Sequence, residues 1–188
     1  MKRIIIQLIV LTTLVYSNVI NIPDDQPTIQ MGIVFAGNGD TVLVAPGTYT
    51  GDGNKDIDFY GKAIVLMSSE GWETTKIDLE NTGRGFYFHL SEDSTSVIDG
   101  FEIMNGQIGD DGGCVYISDS SPKIVNSKFS NCIAGNDENT NKKGGAIFIN
   151  PAGSLIVDNC IFDNNGDNTH TNEGGAIYAD NSVSLRIT

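Results

Sequence analysis

The sequence predicts an all-β chain, a single-stranded parallel β-helix whose short strands wind into stacked coils. Three observations predict it. Glycine-led segments recur from Gly85 onward, at steps of 28, 32 and 30 residues. Each recurring unit holds two or three short β-branched or aromatic runs, too few for a propeller blade of about four strands. Turn-forming residues are dense, with 22 Gly, 18 Asn and 17 Asp among 188 residues. That composition argues against a helical bundle or a coiled coil. No leucine ladder marks a leucine-rich repeat.

The elements follow in order. Met1-Lys2-Arg3, the apolar stretch Ile4 to Val15 and Val15-Tyr16-Ser17 have the layout of a secretory signal peptide cut before Asn18. The run is far shorter than the ~20 residues that span a bilayer. The division is therefore 1–17 signal peptide and 18–188 β-helix domain. Pro27 and the acidic residues before it start a helix near residues 27–36, with Ile29, Ile33 and Ala36 at helical spacing and Val34 adjoining. This helix is the N-terminal cap. Thr41 to Ala45, Ala63 to Met67 and Thr75 to Leu79 read as strands, and Pro46-Gly47 as a turn.

The repeats come next. Gly85-Phe86-Tyr87-Phe88-His89 aligns with Gly113 to Ile117, Gly145 to Ile149 and Gly175 to Ala179. A second half recurs as Ile98 to Asn105, Ile124 to Asn131 and Val157 to Asn164. Stacked coils place like residues over like, ~4.8 Å apart. Val115, Ile147 and Ile177 form one expected inward stack; Ile103, Phe129 and Phe162 form another. Asn105, Asn131 and Asn164 form a structural ladder at a turn, since Asn tolerates left-handed backbone and its amide bonds the next coil. The spare length, residues 106–111, 132–143 and 165–173, falls at one corner. Insertions in solenoids gather on one face, often the binding face. Asp110, Asp111, Asn136, Asp137, Asp167 and Asn168 are the binding-loop candidates.

Pro27-Thr28-Ile29-Gln30 and Gly39 to Tyr49 resemble the cap and first coil of secreted right-handed parallel β-helix proteins of the pectate-lyase-like superfamily. Gly144-Gly145-Ala146-Ile147 and Gly174 to Ile177 resemble the GGAI repeats of chlamydial polymorphic outer-membrane proteins. Phe162-Asp163-Asn164-Asn165 satisfies their FxxN element. Phe129-Ser130-Asn131-Cys132 departs from it, with Cys132 where Asn is expected. The resemblance implies a right-handed coil and a secreted, extracellular or outer-membrane location. Its functions range from polysaccharide lyases and hydrolases to adhesins, so fold alone does not choose among them.

Chemistry is sparse. Net charge is −13, which disfavours nucleic acid and anionic lipid as partners. Hydrolases of the superfamily pair Asp-Asp with motifs bearing His and Arg-Lys. Here Asp110-Asp111 is present, a weak catalytic pair, and the partner motifs are missing. Two carboxylates can serve as acid and base; a solvated acidic loop is the plainer reading. Arg84 reads as a turn arginine, solvated or paired with a carboxylate. His89 reads as a rim histidine in an aliphatic position, and His170 as an exposed loop residue. Oxygen ligands at 51–58 and 165–168 suit calcium, but neither an EF-hand loop nor a calcium-binding repeat is present, so no metal or other cofactor is assigned. Cys114, Cys132 and Cys160 match neither CxxC nor a zinc pattern. They read as three small buried apolar side chains, with one disulfide as the alternative.

The expected role is structural, adhesive or glycan-binding at the cell surface, with glycan or a surface protein as partner. The alternative is a lyase or hydrolase acting on acidic polysaccharide. The last coil opens at Gly174 and stops before its Phe-x-x-Asn half, which leads us to expect further coils and a secretion or attachment module downstream.

Overall fold

In a computed structural model, which describes residues 17–135, 142–166, 174–180 and 184–188, the chain is a parallel β-solenoid with one short helix. Three sheets run along it. Sheet A has seven strands: Val19–Ile22, Thr41–Val44, Val65–Ser68, Val97–Asp99, Lys123–Val125, Ser154–Asp158 and Ser184–Ile187. Sheet B has five: Gly47–Tyr49, Thr75–Asp78, Glu102–Met104, Lys128–Ser130 and Ile161–Asp163. Sheet C has five: Ile57–Asp58, Phe86–Phe88, Val115–Ile117, Ile147–Ile149 and Ile177–Ala179. The chain visits A, B and C in turn, so every lap lays each strand parallel to its predecessor. A two-stranded patch, Gln107–Ile108 with Ile133–Ala134, widens the B-to-C corner.

Strand alternation builds the core. Along Thr41–Val44, Val42 and Val44 point in and are fully buried; along Thr75–Asp78, Ile77 does the same. The expected stacks are present. Val115 opposes Ile147, and Ile147 opposes Ile177. Ile103 opposes Phe129, and Phe129 opposes Phe162 with rings stacked at 5.2 Å. Phe59, Phe86 and Phe88 fill the first coils and are fully buried, each contributing roughly 2–3 kcal/mol.

Turns are equally regular. Asn105, Asn131 and Asn164 follow successive B strands with φ of 58°, 54° and 52°. The Asn164 amide donates to Asn131 Oδ1 at 2.7 Å, Asn131 to Asn105 at 3.4 Å, and Asn105 to Asp78 at 2.9 Å. The ladder is as the sequence predicted. A second ladder, which the repeats contained and the sequence reading passed over, turns the A-to-B corner. There Asn159 donates to Asn126 and Asn126 to Asp99, and Asn126 and Asn159 again have positive φ.

The cap helix spans Ile29–Phe35, with Thr28 Oγ1 accepting the Met31 N–H. Ile29 and Ile33 are buried, but Val34 is 45% exposed. The sheet A strand at Val19–Ile22 and the short strand at Gly47–Tyr49 were not expected.

Three expectations are corrected. Gly85 does not align with Gly113. Phe86 opposes Val115, and the Gly85 N–H bonds the Cys114 carbonyl. The repeat is Gly83-Arg84-Gly85-Phe86 over Gly112-Gly113-Cys114-Val115, so Arg84 stands where later coils have their second glycine. His89 consequently lies beyond the strand rather than in an aliphatic position. The cysteines are not all free: Cys114 and Cys132 form a disulfide, leaving Cys160 as the free thiol. The two half-cystines sit at the end of one B strand's corner and the start of a C strand, positions brought together only by coil stacking.

Candidate functional site

The coils turn their outer side chains into columns, and the column on sheet C is aromatic. Asp58, Tyr87, Tyr116, Phe148 and Tyr178 occupy the same outward position in five successive strands. Ring centroids step by 5.3, 5.2 and 5.7 Å from Tyr87 to Tyr178. Phe148 is nearly covered by its neighbours, whereas Tyr87 is 36% exposed. His89 stacks on Tyr87 at 4.1 Å and reaches Asp58 Oδ2 at 3.1 Å.

Cations line the side of this strip that adjoins the B-to-C corner. The Arg84 guanidinium lies 5.0 Å from the Tyr116 ring centre and 5.8 Å from that of Tyr87. Lys143 sits 4.4 Å over the Tyr178 ring and donates to its hydroxyl at 2.9 Å. Cation–π attraction of this kind strengthens when the cation is partly desolvated. Burial pushes the Arg84 pKa below its ordinary value, against the raising effect of Asp110 and Asp56.

Arg84 also props the first insertion. Its Nε donates to the Gly112 carbonyl at 2.9 Å and its Nη2 to the Asp111 carbonyl at 2.7 Å. It is thus a strut between the aromatic strip and the loop, bonded to carbonyls, where a turn arginine solvated or paired with a carboxylate was expected. The next two coils, at Gly113 and Gly145, cannot copy it. A Cβ at Gly145 would fall 2.1 Å from the Gly175 carbonyl and 2.4 Å from the Gly166 nitrogen, so the insertions press on the bare backbone there.

Asp110 and Asp111 lie on this insertion beside the strip. Asp110 Oδ1 takes Lys142 Nζ at 3.2 Å, and Asp111 Oδ1 takes the Lys143 N–H at 2.8 Å. Desolvation would raise the Asp110 pKa, but the Asp111 N–H, Lys142 and Arg84 outweigh it and hold the carboxylate below its ordinary value. Such a group stays ionised and is a poor proton donor at neutral pH. Asn136, Asp137, Asp167 and Asn168, together with His170 and residues 1–16 of the expected signal peptide, lie outside the described residues. In the oxygen-rich stretch 51–58, Asn54 Oδ1 accepts the Ile29 N–H at the head of the cap helix, and Asp56 accepts the Arg84 N–H. Among the described residues no three His, Cys, Asp or Glu side chains converge, and no enclosed pocket opens.

The aromatic column was legible in principle. The repeats quoted above read Phe-Tyr-Phe, Val-Tyr-Ile, Ile-Phe-Ile and Ile-Tyr-Ala, with an aromatic at every middle place. Comparison with family models, with curated proteins and with solved structures finds no match to this chain. The coil geometry thus stands on the structure, and any family assignment rests on the motifs alone.

Proposed function

We propose that the chain is an exported, cell-surface β-solenoid that binds a glycan along sheet C and performs no reaction on it. One observation carries this reading: the outward aromatic column from Tyr87 to Tyr178, edged by Arg84 and Lys143. A linear saccharide presents apolar C–H patches alternating with hydroxyls. Aromatic rings, phenolic hydroxyls and cations at one-coil spacing complement both, and repeated weak contacts along a strip add up by multivalency. The flat, open geometry suits holding a chain more than enclosing a bond for cleavage, since catalytic sites favour concave, water-excluding clefts. Export is supported by the charge–apolar–small pattern of residues 1–17 and by the Cys114–Cys132 disulfide, a bond favoured in oxidising compartments. Attachment at a bacterial outer membrane belongs to the same reading through the GGAI and FxxN motifs.

The test is affinity electrophoresis through gels containing neutral or acidic polysaccharides. Retardation in at least one gel is expected, cut about thirtyfold in affinity by the Tyr116→Ala, Tyr178→Ala double variant, in keeping with about 1 kcal/mol per lost ring contact. Undiminished retardation in that variant, or none in any gel, overturns the reading. Release of new reducing or unsaturated sugar ends, abolished by Asp110→Asn with Asp111→Asn, would instead establish an enzyme.

A further inference from the structure

The outer side of the cap helix breaks a rule that terminal caps obey. A solenoid's terminal unit keeps a polar outer face to remain soluble. Here Ile29, Gly32 and Ile33 face inward and are buried. The helix lies so close that a methyl on Gly32 would come within 2.8 Å of Ile22 and Val42. Its opposite side is apolar as well. Met31, Val34 and Phe35, at the i, i+3, i+4 spacing of one helix face, are 39%, 45% and 62% exposed. A helix apolar all round is ordinarily a buried one.

The face extends beyond the helix. Gln30 bonds the backbone N–H and C=O of Asp58, and Lys62 Nζ donates to the carbonyls of Ile33, Val34 and Ala36. The helix is thereby clamped over residues 58–62. Tyr60, 49% exposed, lies in that segment. Leu90, 48% exposed, lies against Gly61, and one carboxylate, that of Glu92, takes the N–H groups of both Gly61 and Leu90. Five of the nine large exposed hydrophobics among the described residues thus gather at one end of the solenoid.

Charge and area choose the occupant. Ile29–Phe35 carries no ionisable side chain, within a chain of net charge −13. An oppositely charged partner would gain nothing from this face. Two copies of this chain repel each other elsewhere and meet here with the least repulsion. With all five side chains of each copy covered, two such faces bury on the order of 1,000 Å², below the range of stable interfaces and within that of weak, transient ones. We infer that this cap face is the contact of a reversible homodimer, two solenoids meeting cap to cap about a two-fold axis. Because such an interface is isologous, each helix packs on its own counterpart. It would present two sheet C strips on one particle, independently of what those strips bind.

Sedimentation of the full chain over rising concentration tests it. The weight-average mass is expected to climb from 20.1 kDa toward twice that value, more readily in added salt because screening weakens the repulsion between like-charged copies. Phe35→Glu, Val34→Lys and Val34→Glu should each stay monomeric. They should melt with the parent, since both side chains are exposed. Mixing the Val34→Lys and Val34→Glu chains should restore the dimer, because a two-fold contact sets unlike charges opposite each other. Ile161→Glu, an exposed change on sheet B, should dimerise as the parent does. A single-chain mass at every concentration overturns the inference. So does a Phe35→Glu chain that still associates, which would place the contact elsewhere, residues 1–17 included. Failure of the mixed chains to pair overturns the two-fold geometry.

Discussion

Sheets B and C share one geometry and opposite surface chemistries. On sheet C the outer column repeats itself as Tyr87, Tyr116, Phe148 and Tyr178. On sheet B the outer column alternates as Lys76, Glu102 and Lys128. Glu102, with an 8% exposed side chain, is gripped by Lys76 at 2.8 Å, Lys128 at 3.2 Å and Ser130 at 3.0 Å. Lys128 reaches on to Asp163 and lies 5.6 Å over the Trp72 ring. The spacing of coils explains the contrast. Two like charges ~4.8 Å apart repel by roughly 3 kcal/mol at an effective dielectric of about 20, so a charged column must alternate. Neighbouring aromatic rings attract by about 0.5–1.5 kcal/mol, so an aromatic column can repeat. A stacked fold therefore writes clean repeats on its aromatic face and scrambled ones on its ionic face.

The largest break in this contrast is Glu102→Lys, which stacks three lysines. It should lower unfolding stability by about 4 kcal/mol, read by urea denaturation. A loss under about 1 kcal/mol would mean that the column behaves as ordinary solvated surface pairs. Next comes the corner that joins the two sheets. Replacing Cys114 and Cys132 by Ala opens a bridge between residues 18 apart and should cost about 3 kcal/mol. Proteolysis should also quicken within 106–113, the insertion next to Cys114. Equal cleavage rates in both forms would show that Arg84 alone holds that loop. On sheet C, Tyr116→Ala should cost about 1–2 kcal/mol, and Tyr116→Phe less than about 0.5. An equal loss for both would move the weight from the ring to the hydroxyl and its Asn150 contact.

The smallest effect is in acid. Burial raises the Glu102 pKa, but Lys76, Lys128 and Ser130 outweigh it and leave it below its ordinary value. Glu92 is likewise lowered overall, as the Ser120 hydroxyl and the N–H groups of Leu90 and Gly61 overcome desolvation. A carboxylate with a depressed folded pKa lends stability that is complete above its unfolded value of about 4.3 and fades as pH falls through the folded one. Melting temperature should therefore drop below about pH 4. Glu102→Gln should flatten that drop and Tyr116→Ala should leave its slope unchanged. The reverse pattern would remove the ionic column from the account.

Legibility followed the same line. The Asn105–Asn131–Asn164 ladder and the two inward stacks were readable because each repeats one residue type at a fixed phase. The Asn126–Asn159 ladder was equally written but overlooked. Glu102 was invisible, because a lone acid between lysines in distant units has no periodic signature. Arg84 misled the alignment: it replaces a glycine, and matching Gly85 to Gly113 shifted that coil by one residue. The disulfide stood only as the alternative reading, because Cys132 sits where the next coil has Asn165 and so looked like a lapse in a motif.

By itself the sequence determined the parallel solenoid, the cap helix, the phase of the core from Gly113 onward and the corner that takes the insertions. All of these rest on local alternation and on repetition along one chain, and both survive without knowledge of neighbours. Only the tertiary structure decided what stands beside what. It set Glu102 between two lysines, Arg84 beneath the Asp111 and Gly112 carbonyls, Cys114 against Cys132, and an apolar face on the outer side of the cap helix. Each of these pairs residues about one coil apart or separates an outer surface from an inner one. Which side chains meet there depends on how the corner loops turn in space, and repetition along the chain does not encode those turns.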